Sequence, residues 1–448
     1  MNKDSFKFSI RRFMQMKING GMILLVVALL AMIIANSPLQ HYYHALLSQP
    51  VSLNLGDFSL FQRHDGSPMT VLDFISDALM TIFFFSTGLE IKREILVGEL
   101  SSLRKALLPV LAACGGMICP VAIFWLIGPE GAAAQGAAIP MATDIAFSLG
   151  VLSLLGKKVP ISLKIFLTTF AVVDDIGGII VIAAFYSSHI ALEYLLVSFA
   201  VIALLYLGGR YGRIHSKLFY IFFGFWVWYL FLHSGIHPTI AGVVVAFTIP
   251  ARPKLYVYKY VRKIQESLSR LPEESRNKKL MLSNSELSIL KSIESASDKV
   301  ISPLQAIDDE LHPLINYIIM PLFAFANADI SFAGFSLASL QGLSLTIFFS
   351  LVLGKTIGIF SFTYLAVKSK LLSMPTHMTY PMLFGVSVLG GIGFTVSLFI
   401  ASLSYTNVPE VGMELLNQAK LGTIGGSVFA GVCGYFILRY VLNKKRAK

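Results

Sequence analysis

The chain has 448 residues, of which 55% are hydrophobic and only 14% charged, with a formal net charge of +11. Soluble proteins carry roughly 25% charged residues, so this composition, with a mean hydropathy of +0.71, excludes a water-soluble globule. The positive charge does not imply nucleic acid, because Lys and Arg gather at the ends of apolar runs, where cytoplasmic loops of membrane proteins are basic.

About twenty helical residues cross a hydrocarbon core roughly 30 Å thick. Apolar runs near 18–36, 70–89, 106–127, 134–155, 162–185, 194–209, 216–233, 237–250, 312–328, 343–367, 376–404 and 418–442 therefore predict an all-α integral membrane protein of about twelve spans in one transmembrane domain, 1–448. The first run follows Lys3, Lys7, Arg11, Arg12 and Lys17 without a clear cleavage site, and reads as a span rather than a leader. Basic residues recur in alternate connections: Lys92, Arg93, Arg104 and Lys105, then Lys157 and Lys158, then Arg210, Arg213 and Lys217, then 252–300, Lys368 and Lys370, and Arg439 to Lys448. This alternation supports the span count and puts both termini in the cytoplasm. Cys114, Cys119 and Cys433 lie in apolar runs without paired spacing and read as small core residues.

Two pieces are hydrophilic. Residues 51–65 alternate apolar and polar around Leu55-Gly56-Asp57, as a small external hairpin or a plain loop would. Residues 252–305 mix charge with Leu280, Leu282, Leu287, Ile289 and Leu290 at helical spacing, which fits a partly helical cytoplasmic linker or a solvated loop. Two apolar segments are interrupted: 139–150 by Pro140, Thr143 and Gly150, and 388–397 by Gly390, Gly391 and Gly393. Such breaks at corresponding places in two halves mark discontinuous helices of inverted-repeat transporters, pairing spans 3–5 with 10–12. Alternatively, these glycines serve close helix packing.

Ionisable residues inside apolar runs are costly and point to an ion or proton path. Those well inside the runs are Asp77, Asp144, Asp174, Asp175 and Lys355. Asp174 and Asp175, adjacent on a helix, feel each other's charge, titrate as a coupled system, and offer hard oxygen ligands for which a small alkali ion and protons can compete. Thr143 can satisfy backbone groups exposed at the first break, and Asp144 can offset the positive ends of half-helices. Lys355 offsets negative ends, pairs with Asp144 or Asp174, or itself carries a proton; the sequence leaves these open. Glu90, Arg93 and Glu94 have the spacing of a local network at a helix mouth, or of an ordinary capped helix end. His237 sits at the outer end of a span, where a histidine either senses pH or is structural.

The stretches FFFSTGLEIKRE (83–94), MATDIAFSLGVLSLLG (141–156), LTTFAVVDDIGGIIVIAAFY (167–186), SGIHPTIAGVVVAFTIP (234–250), PLFAFANADI (321–330), LGKTIGI (353–359) and LGGIGFTVSLFIASL (389–403) resemble the NhaA family of bacterial sodium/proton antiporters. That family is itself a standard example of inverted-repeat transporters, so the repeat signal is not independent of the resemblance. The resemblance implies twelve helices, with discontinuous helices 4 and 11 crossing, in a multi-pass protein of the bacterial inner membrane. It implies electrogenic, pH-regulated export of Na⁺ or Li⁺ against entering protons for sodium and pH homeostasis, with no cofactor and no enzymatic reaction. Asp174 and Asp175 would be the cation and proton site, Asp175 the more direct ligand, with Thr143 assisting and Asp144 and Lys355 neutralising helix ends. Glu90, Arg93, Glu94, His237 and Asp77 match positions tied to pH response or coupling, and a homodimer would form through the external hairpin.

The chain departs from the family in its longer 252–311 linker and in reading Asp308-Asp309-Glu310 where a Glu-His pair can stand before the ninth helix. The departure bears on the activating pH and leaves the transport site untouched. Competing readings are a degenerate or differently selective cation/proton transporter and, in other classes, an intramembrane aspartyl protease, a retinal protein or channel, or a receptor. VVDDIGG lacks the Tyr-Asp and Gly-x-Gly-Asp pattern of such proteases.

Overall fold

The computed structural model describes residues 20–55, 58–62, 66–187, 190–212, 214–253, 257–269, 283–330, 342–406, 408–409 and 411–446. The basic N-terminal stretch, Gly56-Asp57, Arg213, Leu280 and Leu282 lie outside the described residues.

Helices dominate. They are α1 (Gly20–Ala35), α2 (Gln40–Leu47), α3 (Val71–Val97), α4 (Leu103–Ile127), α5 (Ile145–Leu154), α6 (Ile161–Phe185), α7 (Leu192–Arg210), α8 (Lys217–Ser234) and α9 (Thr239–Thr248). After them come α10 (Val257–Leu268), α11 (Asn284–Val300), α12 (303–327), α13 (Leu343–Lys368), α14 (Tyr380–Leu389), α15 (Phe394–Tyr405) and α16 (Gly412–Arg446). A 3-10 segment, Gly131–Met141, precedes α5. Strands β1 (Asn54–Leu55) and β2 (Phe58–Ser59) pair antiparallel, Leu55 opposite Phe58. Among the described residues, six helices are long and apolar enough to cross a membrane alone, and nine if each bent pair counts as one span. α9, with ten residues, is too short to do so.

Capping explains where key helices begin. α3 starts on a capping box between Thr70 and Asp73. It runs to Val97, past the expected end at 89, so Glu90, Arg93 and Glu94 lie in its last turns. Ser302 caps α12, whose first residue is Pro303, and Asp308-Asp309-Glu310 therefore stand inside this helix rather than before it. The 252–305 linker contains two amphipathic helices, α10 and α11, with Leu287, Ile289 and Leu290 on the second.

The first interruption falls at Ala142–Asp144, between the 3-10 segment and α5, and bends the chain by 49°. Gly150 is not part of it: it lies inside α5, where a Cβ would stand 3.3 Å from the Gly21 backbone of α1. Tight packing, not chain reversal, accounts for that glycine. The second interruption, between α14 and α15, bends by 43°. Its glycines also pack closely, since a Cβ on Gly391 would lie 2.9 Å from Leu351 O and one on Gly393 3.0 Å from Ala142 O.

Among the described residues, three helices contain one widened π-helical turn: Phe74–Leu79 in α3, Ile315–Ile319 in α12 and Ser350–Gly354 in α13. Such turns cluster at functional positions because the extra residue rotates the rest of the helix and re-aims its side chains. The first carries Asp77, and the third ends immediately before Lys355.

Candidate ion site at two helix breaks

Asp144 is the N-cap of α5, its Oδ1 accepting from the Phe147 amide at 2.9 Å. Its Oδ2 accepts from the Thr395 hydroxyl at 2.6 Å and the Thr395 amide at 3.2 Å, in the first turn of α15. One buried carboxylate thus answers the positive ends of two half-helices. The carbonyl ends are met by hydroxyls: Thr143 donates to Gly390 O at 2.9 Å, Ser148 to Leu389 O at 3.1 Å and Ser397 to Ile139 O at 2.7 Å. The Asp144 amide donates to Ile392 O. The two breaks therefore satisfy each other's exposed backbone, as irregular chain in a membrane interior must be satisfied.

α6 passes this junction as an unbroken helix and presents Asp174 and Asp175, 1% and 3% exposed. Lys355, wholly buried on α13, donates to Asp174 Oδ2 at 2.5 Å, and Thr143 lies alongside Asp174. Of the partners left open by the sequence, the geometry selects Asp174 for Lys355. Both oxygens of Asp175 are buried without a hydrogen-bond partner among the described residues. A buried ionised carboxylate without partners is costly, so Asp175 is suited to bind a cation or a proton.

Two cavities approach from opposite ends of α3. One, of about 840 Å³, is lined by Asp77, His237, Gln135, Tyr186 and Lys420; the other, of about 200 Å³, by Glu90, His312, Thr87 and Asp144. Asp77 and Glu90 are thirteen residues apart, about 20 Å along the helix at 1.5 Å per residue. Neither Asp174 nor Asp175 lines either of these two cavities.

The structure brings Asp77 and His237 together, Oδ1 to Nε2 at 3.8 Å, with His237 Nδ1 2.7 Å from the Thr239 hydroxyl. It does not form the local Glu90-Arg93-Glu94 network. Arg93 instead reaches Asp308 on α12 at 2.7 Å, Glu90 faces His312 at 3.6 Å, and Glu94 accepts from the Glu99 amide at 2.9 Å. A partner on another helix wins because α3 and α12 pack together here, and intrahelical pairs contribute only about 0.2–0.5 kcal/mol.

Sequence reasoning misses four contributors. Thr395 gives no signal, being an ordinary residue after a glycine run. His312 is a lone histidine in sequence, and Lys92, which caps the α9 carbonyls of Phe247 and Ile249, looks there like one more loop charge. Lys420 pairs with Asp329, and its place inside the apolar run 418–442 carries the same signal as Lys355.

The sequence profile of the family described as Na+/H+ antiporter 1 matches residues 11–438. The chain belongs to the NhaA family of Na⁺/H⁺ antiporters. It is 52% identical over 442 residues to the Na(+)/H(+) antiporter NhaA of Parabacteroides distasonis, covering 98% of this chain and 97% of that one. It is 54% identical over 441 residues to that of Bacteroides fragilis (98% and 99%), and 47% identical over 451 residues to that of Porphyromonas gingivalis (100% and 99%). Membership in NhaA makes the chain a multi-span membrane transporter, and the family name denotes an antiporter rather than a protease.

Proposed function

We propose that the chain exports Na⁺ or Li⁺ in electrogenic exchange for a larger number of protons, with Asp175 as the more direct ligand, Asp174 completing the pair and Thr143 assisting. The observation that carries this reading is a buried, partnerless carboxylate beside a Lys355–Asp174 ion pair, with cavities along the two halves of α3 that reach Met141 and Asp144 at the first helix break. Competition between a cation and protons for the same oxygens, with access from one cavity at a time, is all that exchange requires. Asp144 offsets the half-helix N-termini. Lys355 balances Asp174, and its pairing leaves room for a proton to leave it as a cation enters.

The reading includes twelve spans built as inverted repeats, with the two broken elements crossing; their similar bends and mutual hydrogen bonds support it. It places the protein in the bacterial inner membrane with both termini and the 252–305 linker in the cytoplasm, and the 51–65 hairpin outside as a homodimer contact. Glu90, Arg93, Glu94, Asp77 and His237 are its pH-response candidates. A differently selective cation/proton exchanger is the second reading, because the partnerless Asp175 oxygens would serve another alkali cation too.

The test is proton movement in proteoliposomes, followed with a pH-sensitive dye on addition of Na⁺, Li⁺ or K⁺ at several pH values. Na⁺ and Li⁺ should release the proton gradient in wild type and not in Asp175→Asn, which keeps the volume without the charge. A response to K⁺ alone would favour the second reading, and normal exchange in Asp175→Asn would overturn the site.

A further inference from the structure

We propose that Glu90, Asp308 and His312 form a binding site for a divalent transition-metal ion of the Zn²⁺ type, bridging α3 and α12 at the mouth of the smaller cavity. One ligand atom from each of the three lies within 4.8 Å of the others. Glu90 Oε1 and His312 Nδ1 are already 3.6 Å apart, close to the about 3.4 Å between ligands of a tetrahedral zinc whose bonds are about 2.1 Å.

A second observation points to a ligand independently of the clustering. Asp308 is 1% exposed, its Oδ2 is held by Arg93, and its Oδ1, with Ser86 alongside the carboxyl, accepts no short hydrogen bond among the described residues. One nitrogen and two carboxylate oxygens, with the remaining position open to water, suit zinc better than an alkali ion, which prefers an all-oxygen shell. Arg93 opposes a cation here, but its hydrogen bond goes to Oδ2 of Asp308 and leaves Oδ1 for the ion. His312, with a side chain 54% exposed, gives the ion a route in.

The cavity wall that holds Glu90 and His312 also holds Asp144. A bound ion would join α3 to α12 across this passage and block it. That consequence rests on the antiport reading; the binding itself does not.

Tag-free protein in detergent is titrated with zinc chloride by calorimetry, as wild type, His312→Ala, Glu90→Gln and Asp308→Asn. His44→Ala serves as control, since His44 pairs with Asp329 elsewhere. Melting profiles confirm folding, and Glu90→Gln keeps the test open if Asp308→Asn does not fold. One zinc per chain is expected in wild type, weakened more than tenfold in each cluster variant and unchanged in the control. Absent binding in wild type, or equal binding in folded His312→Ala, overturns the site. In proteoliposomes, zinc on the Glu90 side should reduce cation-driven proton movement more than tenfold at saturation; full movement with zinc bound overturns the block. Site-specific zinc binding in a protein that shows no cation-driven movement would sink the antiport reading and leave the metal site standing.

Discussion

Lys355 Nζ lies 2.5 Å from Asp174 Oδ2, and neither side chain reaches solvent. The pair lies between a helix that is continuous and one that widens to a π turn in the residues just before the lysine. Without that turn the lysine would be rotated out of register with α6, which makes the ion pair a product of helix geometry as much as of charge.

Removing one member of a buried pair leaves the other uncompensated, at a cost of about 3–5 kcal/mol. Lys355→Ala should therefore lower the melting temperature of the detergent-solubilised protein, and adding Asp174→Ala should restore part of the loss. Wild-type melting in the single variant would show that the pair contributes nothing to stability.

Asp144 and Asp175 should respond oppositely to amidation. Asp144 accepts three hydrogen bonds, from Phe147 and twice from Thr395, and an Asn there sets an amide N–H against another donor. Asp144→Asn should cost about 1–3 kcal/mol. Asp175 accepts none among the described residues, so Asp175→Asn should melt at or above the wild-type temperature while losing exchange. Thermal unfolding of the two variants side by side decides this.

Glu94 is turned toward the Glu99 amide, whereas Arg93 holds Asp308. Arg93→Ala should change the pH profile of exchange, and a double-mutant cycle with Asp308→Ala should show coupling. Glu94→Gln should shift the profile less than Arg93→Ala does, because an amide oxygen can accept the same bond from the Glu99 amide. A larger shift from Glu94→Gln than from Arg93→Ala would contradict this arrangement.

Gly115 on α4 and Gly358 on α13 meet backbone to backbone, and a Cβ on either would collide with the carbonyl of the other. Gly358→Ala should cost at least about 1–3 kcal/mol by overpacking. Because Lys355 is three residues away on the same helix, exchange should fall with stability. Gly178, whose Cβ position is open, provides the contrast: Gly178→Ala should melt close to wild type.

Membrane class, most of the helices, the two interruptions and the carboxylates at the centre were legible in the sequence because each depends on local chain chemistry. Apolar runs of sufficient length must be helical in lipid, Pro140 and the 390–393 glycines disturb a helix where they stand, and a charge within an apolar run is conspicuous by itself. Even the break positions were only partly so, since Gly150 serves packing against Gly21 rather than interruption. What the tertiary structure alone decided was the choice of partners. Lys355 takes Asp174 across 181 residues, Arg93 takes Asp308 across 215, and Asp144 is completed by Thr395 across 251. No local pattern encodes such choices, because a buried charge must be answered by whichever group the packed helices bring within bonding distance, and that distance is set by the whole bundle.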